Sequence, residues 1–217
     1  ALALLSIVWL LFGRERRRSQ EEGGPPPQVG SPAGVLRRHK VLWIVAGCQI
    51  GEAVVFASFI TFYPTYAIDH LNISLTTVGL LMASLPVGGI LGSLSSGPLS
   101  QLIGRRKPFI WVPGLFLPVL YFALLLVNSV PLSMLLLLGA GFFAMVVPPI
   151  LATIPMDMRL APREVAVALG LMRTLFPLGA TLGPLFVGAI QESTGSLFLG
   201  LAVVAPLAFT LFLGGKL

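Results

Sequence analysis

Apolar residues fill long stretches of the chain, and polar residues are confined mostly to the gaps between them. A helix that crosses a bilayer needs about 20 mostly apolar residues. Six stretches meet that length, at approximately 41–67, 75–103, 108–127, 131–154, 164–191 and 196–214. They predict an all-α fold, a polytopic membrane helix bundle with six complete transmembrane helices. A seventh apolar run, residues 1–13, is too short to cross about 30 Å at ~1.5 Å per residue. No basic region precedes it, as a signal peptide would require, and Gly13-Arg14-Glu15-Arg16-Arg17-Arg18 follows it. It reads as the end of a truncated membrane helix.

The stretch 19–34 (SQEEGGPPPQVGSPAG) has no apolar period and is rich in Gly, Pro and Ser. That composition favours a flexible linker with a polyproline-like patch at Pro25-Pro26-Pro27. The chain therefore divides into residues 1–13, a basic linker at 14–40, and a six-helix body at 41–217.

Composition sharpens this picture. Hydrophobic residues make up 56%, charged residues 10%, and mean hydropathy is +0.94. A soluble domain carries roughly 25% charged residues, so a soluble enzyme and a disordered chain are both excluded. A single cysteine, Cys48, excludes a disulfide framework and a zinc ribbon. The net charge of +6 and pI near 10.3 invite a nucleic-acid reading, but the placement of the charges removes it. Alternate gaps hold Arg14, Arg16, Arg17, Arg18, Arg37, Arg38 and Lys40, then Arg105, Arg106 and Lys107, then Arg159 and Arg163, and finally Lys216. These are 13 of the 14 basic residues, and the intervening gaps at 68–74, 128–130 and 192–195 hold none. The bias of Lys and Arg toward cytoplasmic loops predicts a multi-pass protein of the plasma or inner membrane. The 14–40 loop and the C-terminus are then cytoplasmic. Trp9, Trp43 and Trp111 fall near the same ends, and Tyr63, Tyr66 and Tyr121 in the outer halves.

The sequence also repeats. Residues 79–104 and 170–195, 91 positions apart, share Gly79/Gly170, Leu80/Leu171, Pro86/Pro177, Gly88/Gly179, Leu91/Leu182, Gly92/Gly183, Leu94/Leu185, Gly97/Gly188 and Gly104/Gly195. The copies are the second and fifth spans, so the repeating unit has three spans and successive units enter the membrane from opposite sides. A 3+3 inverted repeat of this kind underlies alternating access in many secondary transporters. Gly88-xxx-Gly92 and Gly179-xxx-Gly183 line up small residues on one helix face, where another helix can approach closely.

These residues resemble a known family. Gly97-Pro-Leu-Ser-Gln-Leu-Ile-Gly104-Arg105-Arg106-Lys107 is similar to the loop signature of the major facilitator superfamily, G-x-L-x-D-R-x-G-R-R/K. Gln101 and Leu102 stand where that signature has an acid and a base. Gly179-xxx-Gly183-Pro184-xxx-Gly188 resembles the glycine-proline motif of the family's fifth and eleventh helices. The run Met156-Asp157-Met158-Arg159-Leu160-Ala161-Pro162-Arg163-Glu164 is similar to the loop before the eleventh. The resemblance implies the C-terminal half of a twelve-helix secondary transporter, from the end of helix six through helix twelve. It implies a missing N-terminal six-helix half of the same chain, rocker-type alternating access, and a small-molecule solute carried across the lipid bilayer. An ion gradient, as in a symporter or antiporter, or the solute gradient itself would supply the drive.

Candidate site residues stand out because ionisable groups inside spans cost roughly 2.5–3.5 kcal/mol on insertion scales. Glu52 lies near the middle of the 41–67 span, in a stripe with Gln49, Phe56, Phe59, Tyr63 and Tyr66. A polar and aromatic stripe predicts a cavity wall. Three roles stay open for Glu52: binding a cationic substrate, carrying a coupling proton, or packing as a hydrogen-bonded carboxyl. Arg173, inside the 164–191 span, could pair with Glu52, meet an anionic substrate or snorkel to the interface. Pro148, Pro149 and Pro155 predict a kink, either a fixed one or a gate hinge. Arg105, Arg106 and Lys107 serve the loop motif or topology alone. No phosphate-binding glycine loop, metal-ligand cluster or nucleophile motif appears, so the expectation is no cofactor, no metal and no catalysis.

Two other classes compete. A seven-helix receptor fits the count of apolar runs but not the three-helix repeat. A polytopic membrane enzyme would want clustered His, Asp or Ser chemistry that the sequence lacks.

Overall fold

The computed structural model describes residues 32–104, 107–158 and 160–216. The predicted helix end at 1–13, most of the 14–40 linker, and Arg105, Arg106 and Arg159 lie outside the described residues. Helices succeed one another without a strand among the described residues: α1 (Pro32–Arg38), α2 (Lys40–Leu71), α3 (Leu75–Ile103), α4 (Pro108–Leu126), α5 (Val130–Asp157), α6 (Pro162–Thr194), α7 (Leu197–Val204) and α8 (Thr210–Lys216). A 3-10 segment, Ala205–Phe209, joins α7 to α8, and these three form one last span. Among the described residues six spans are long and apolar enough to cross a membrane. Each falls on a predicted stretch, with ends moved by up to four residues. The end of the expected linker is not extended chain: α1 is helical, and Trp43 Nε1 donates to the Leu36 carbonyl at 3.2 Å.

Polar residues set the helix ends. Ser74 Oγ accepts from Thr77 N–H at 3.2 Å and caps the start of α3. Before α6, Glu164 Oε2 accepts from Ala161 N–H at 3.1 Å; alanine cannot supply the reciprocal arm of a capping box. α3 and α6 end on the matched glycines of the repeat. Gly104 (φ 63°) and Gly195 (φ 70°) are both left-handed caps, and their N–H groups donate to Ser100 and Gln191, which are also 91 apart.

The repeat governs the packing. α3 lies chiefly against α5, and α6 chiefly against α2. A Cβ on Gly88 would land on the Leu138 carbonyl, and one on Gly92 on the Phe142 carbonyl. In the second copy the same places are taken by Gly179 on the Ile50 carbonyl and Gly183 on the Val54 carbonyl. Glycines four apart thus meet carbonyls four apart, twice. The third members of the two units meet each other: Gly114 of α4 sits on the backbone of Leu211 and Phe212 in α8. The core gathers around α2, with Phe59, Tyr63, Leu81, Leu117, Tyr121, Leu124, Leu137 and Leu201 all buried.

Candidate functional site

α2 is the central helix, touching α3, α5, α6 and the last span. That position decides what becomes of its predicted stripe. Gln49, Glu52, Phe59, Tyr63 and Tyr66 are all buried inside the bundle, Gln49 at 8% and Glu52 at 6% exposure. The Phe59 ring lies 4.5 Å from that of Tyr121, and Tyr63 faces Ser133. Tyr66 Oη donates to the Leu125 carbonyl at 2.6 Å. The stripe is therefore mainly an aromatic seam between α2, α4 and α5 and not an open cavity wall. Phe56 is the exception, half-buried and on a cavity.

Polar groups in this seam are incompletely paired. Gln49 Oε1 and Tyr121 Oη are buried without a hydrogen-bond partner. The Glu52 carboxylate has no hydrogen bond or ion pair among the described residues, and Tyr121 is within its electrostatic reach. Buried polar groups are ordinarily satisfied by protein or water, and an unpaired buried charge is costly. Arg173 is not its partner. That side chain is exposed on α6 and has no partner among the described residues.

The cavity itself has a volume of about 530 Å³. Phe56 and Ile60 of α2 form one wall, Met82, Leu85, Pro86, Gly89, Ile90 and Ser93 of α3 another, and Gly141 and Met145 of α5 the third. It lies beside the α3–α5 contact, where Gly89 and Gly141 bring no side chain to fill the space. Of the candidate site residues only Phe56 lines it, together with Pro86 of the repeat. Met82, Ser93 and Met145 carry no signal in the sequence, where they are ordinary members of apolar spans.

The remaining candidates separate by environment. Gly88, Gly92, Gly179 and Gly183 are buried at backbone contacts. Pro184 is half-buried, and a Cβ added at Gly188 would meet only Phe62 Cζ, at 3.8 Å. Pro148 is exposed and Pro149 half-buried, and α5 runs through both without interruption. Gly97 is exposed, and a Cβ added there would meet open space. Lys107 is exposed, and its carbonyl accepts from Ile110 and Trp111 N–H at the start of α4. Among the described residues no three His, Cys, Asp or Glu side chains group as metal ligands would.

Comparison with known proteins matches the chain to one family model. The sequence pattern of the Major Facilitator Superfamily matches residues 1–155 and, overlapping, 46–215. The glucose transporter GlcP of Staphylococcus epidermidis is 33% identical over 135 residues, which is 59% of this chain and 29% of that protein. An uncharacterized protein of Archaeoglobus fulgidus is 25% identical over 137 residues, 63% of this chain and 61% of the relative. The crystal structure of a bacterial homolog to the human lysosomal transporter Spinster, inward-facing and unoccupied, superposes with a TM-score of 0.62 at 19% identity. That match covers 98% of this chain and 56% of the other. The chain thus spans from under a third to about three fifths of the relatives it matches.

Proposed function

The chain belongs to the Major Facilitator Superfamily, a family of membrane transporters, and from that premise we propose that it forms one six-helix half of a secondary transporter. A small solute crosses by rocker-type alternating access, held between this half and a partner half of the same chain. The observation that carries this reading is the contact made twice, α3 on α5 and α6 on α2, through glycines that repeat 91 positions apart. Two like-packed units in opposite orientation are the framework that alternating access uses. The basic gaps face the cytoplasm of a plasma or inner membrane.

Glu52 carries a coupling proton in this scheme. It is buried, unpaired and set one turn behind Phe56, outside the cavity lining. That place suits a proton better than a bulky cationic solute. Gln49, three residues back on the same face, has a buried oxygen in need of a donor, which a protonated Glu52 supplies. Arg173 acts on the solute or on the gate, and Pro148 and Pro149 let α5 flex.

The test is uptake by the full-length protein in proteoliposomes, with a solute panel that includes D-glucose and an imposed pH gradient. The expected result is accumulation of at least one solute above the level of empty vesicles. Glu52→Gln should keep solute exchange but lose accumulation driven by the pH gradient. Unaltered pH-driven accumulation in that variant would remove Glu52 from coupling.

A further inference from the structure

A solute in transit is held by the chemistry of the surface it meets, and the α2/α3/α5 cavity offers almost one kind. Phe56, Ile60, Met82, Leu85, Ile90 and Met145 give apolar walls. Ser93 brings the one side-chain hydroxyl of the lining. Its state differs from that of its neighbours. α3 carries five serines, and Ser84, Ser95, Ser96 and Ser100 each donate to a carbonyl three or four residues back, as hydroxyls in membrane helices commonly do. Ser93 makes no such bond among the described residues, and it is exposed at the cavity.

The fold does not demand this lining. Displacing Met82 and Ile90 by 91 positions gives Arg173 and Thr181, both exposed on α6. The same helix face in the same packing scheme thus accepts a charge and a hydroxyl. The apolar surface of α3 is a chemical property of this copy and not a packing requirement.

We infer that the α2/α3/α5 cavity binds a compact, largely apolar organic molecule bearing one hydrogen-bonding group, seated against Ser93, and that it disfavours polyhydroxylated solutes. The inference rests on the transporter reading above and names its solute class. A cavity of about 530 Å³ lies in the size range of small-molecule sites, roughly 300–1,000 Å³. The thioethers of Met82 and Met145 are flexible and polarisable, suited to an apolar guest of irregular shape. A hexose would surrender water from a ring of hydroxyls and find a protein hydroxyl for only one of them. Each unpaired group counts against binding. The sugar in the name of the S. epidermidis relative is therefore not carried over to this cavity.

The test uses the full-length protein in lipid nanodiscs with two radiolabelled probes, menthol (one hydroxyl on an apolar body) and D-glucose, read by scintillation proximity. Saturable menthol binding that D-glucose does not displace is expected. Ile90→Trp fills the cavity and should abolish it. Ser93→Ala should weaken it roughly threefold to tenfold, the worth of one hydrogen bond, and Ser93→Thr should restore it. The inference is overturned by absence of saturable menthol binding. It is equally overturned by menthol binding that neither Ile90→Trp nor Ser93→Ala alters, or by D-glucose binding that Ile90→Trp removes. Melting curves for each variant separate a lost site from a lost fold; if Ile90→Trp melts early, the Ser93 pair decides alone. Uptake by the same preparation keeps the two readings apart. Gradient-driven glucose accumulation that Ile90→Trp blocks sinks the apolar site and leaves the transporter standing. Saturable menthol binding without accumulation of any solute does the reverse.

Discussion

α3 and α6 are the same helix written twice, and they part company on the face that does not pack. Both bury paired glycines on a neighbour's carbonyls, and both end on a left-handed glycine. On the other face α3 presents Met82 and Ile90 to a cavity, whereas α6 exposes Arg173 and Thr181 at the matched places. Helix-to-helix contact in a membrane depends on close approach and van der Waals fit, which leaves little freedom at the glycines. The opposite face carries no such constraint. The repeat therefore keeps the seam and leaves the surface free to differ, and the reading proposed above assigns solute selection to that difference.

The largest expected effect tests the preserved part. Gly92→Val forces a branched side chain onto the Phe142 carbonyl, and Gly183→Val does the same at Val54. Each should cost about 3 kcal/mol or more, at or beyond the upper end for overpacking. Size-exclusion profiles of the detergent-solubilised protein should show loss of the monodisperse peak in both. If one variant is tolerated and the other is not, the two seams are not equivalent.

The released part comes next. Arg173→Met gives α6 the residue that α3 has at the matched place. Solute uptake should fall about tenfold or more, the scale of a hydrogen bond to a charged group, with expression unchanged. Arg173→Lys should lose less. Uptake at the parental rate would make Arg173 a surface charge only and leave the two faces functionally alike.

A smaller effect is expected from α5. Pro148→Ala with Pro149→Ala restores backbone donors to a helix that already runs without interruption. Stopped-flow uptake should show a several-fold change in turnover with the affinity for solute retained, because hinge changes act on rates. Turnover at the parental value would assign the prolines to a fixed bend. The smallest change is at the matched pair Gly97 and Gly188. Gly97 has open space around it and Gly188 only an ordinary contact, so alanine at either should leave thermal stability unchanged or raise it by up to ~1 kcal/mol, the usual preference of a helix for alanine. A marked drop in melting temperature at one alone would reveal a contact that the repeat does not share.

The spans and the repeat were legible because length and glycine spacing are direct consequences of bilayer thickness and helix contact. The stripe on α2 was legible as a stripe, but its surroundings were not. Periodicity says which side chains share a face, not what that face meets. In a membrane, lipid, core and cavity are all apolar, so hydropathy carries little information on burial. Phe59 and Tyr63 thus looked like cavity residues and are core. Ser93 is indistinguishable in sequence from Ser95 and Ser96; what sets it apart is where its hydroxyl fails to bond. The pairing of Arg173 with Glu52, open on charge alone, does not occur because one lies inside the bundle and the other outside it.

The 3-10 segment in the last span has its own consequence. A 3-10 turn advances about 120° and ~2.0 Å per residue, against about 100° and ~1.5 Å in an α-helix. Over the five residues Ala205–Phe209, the strand of backbone that follows is rotated by about 100° and carried some 2–3 Å further along the axis. That phase change turns Thr210 toward α2, where its hydroxyl reaches the Cys48 carbonyl at 2.9 Å. It also lets a short final span extend to the thickness of the bilayer it would cross. Five residues of tighter winding thus set both the azimuth and the reach of the chain's last helix.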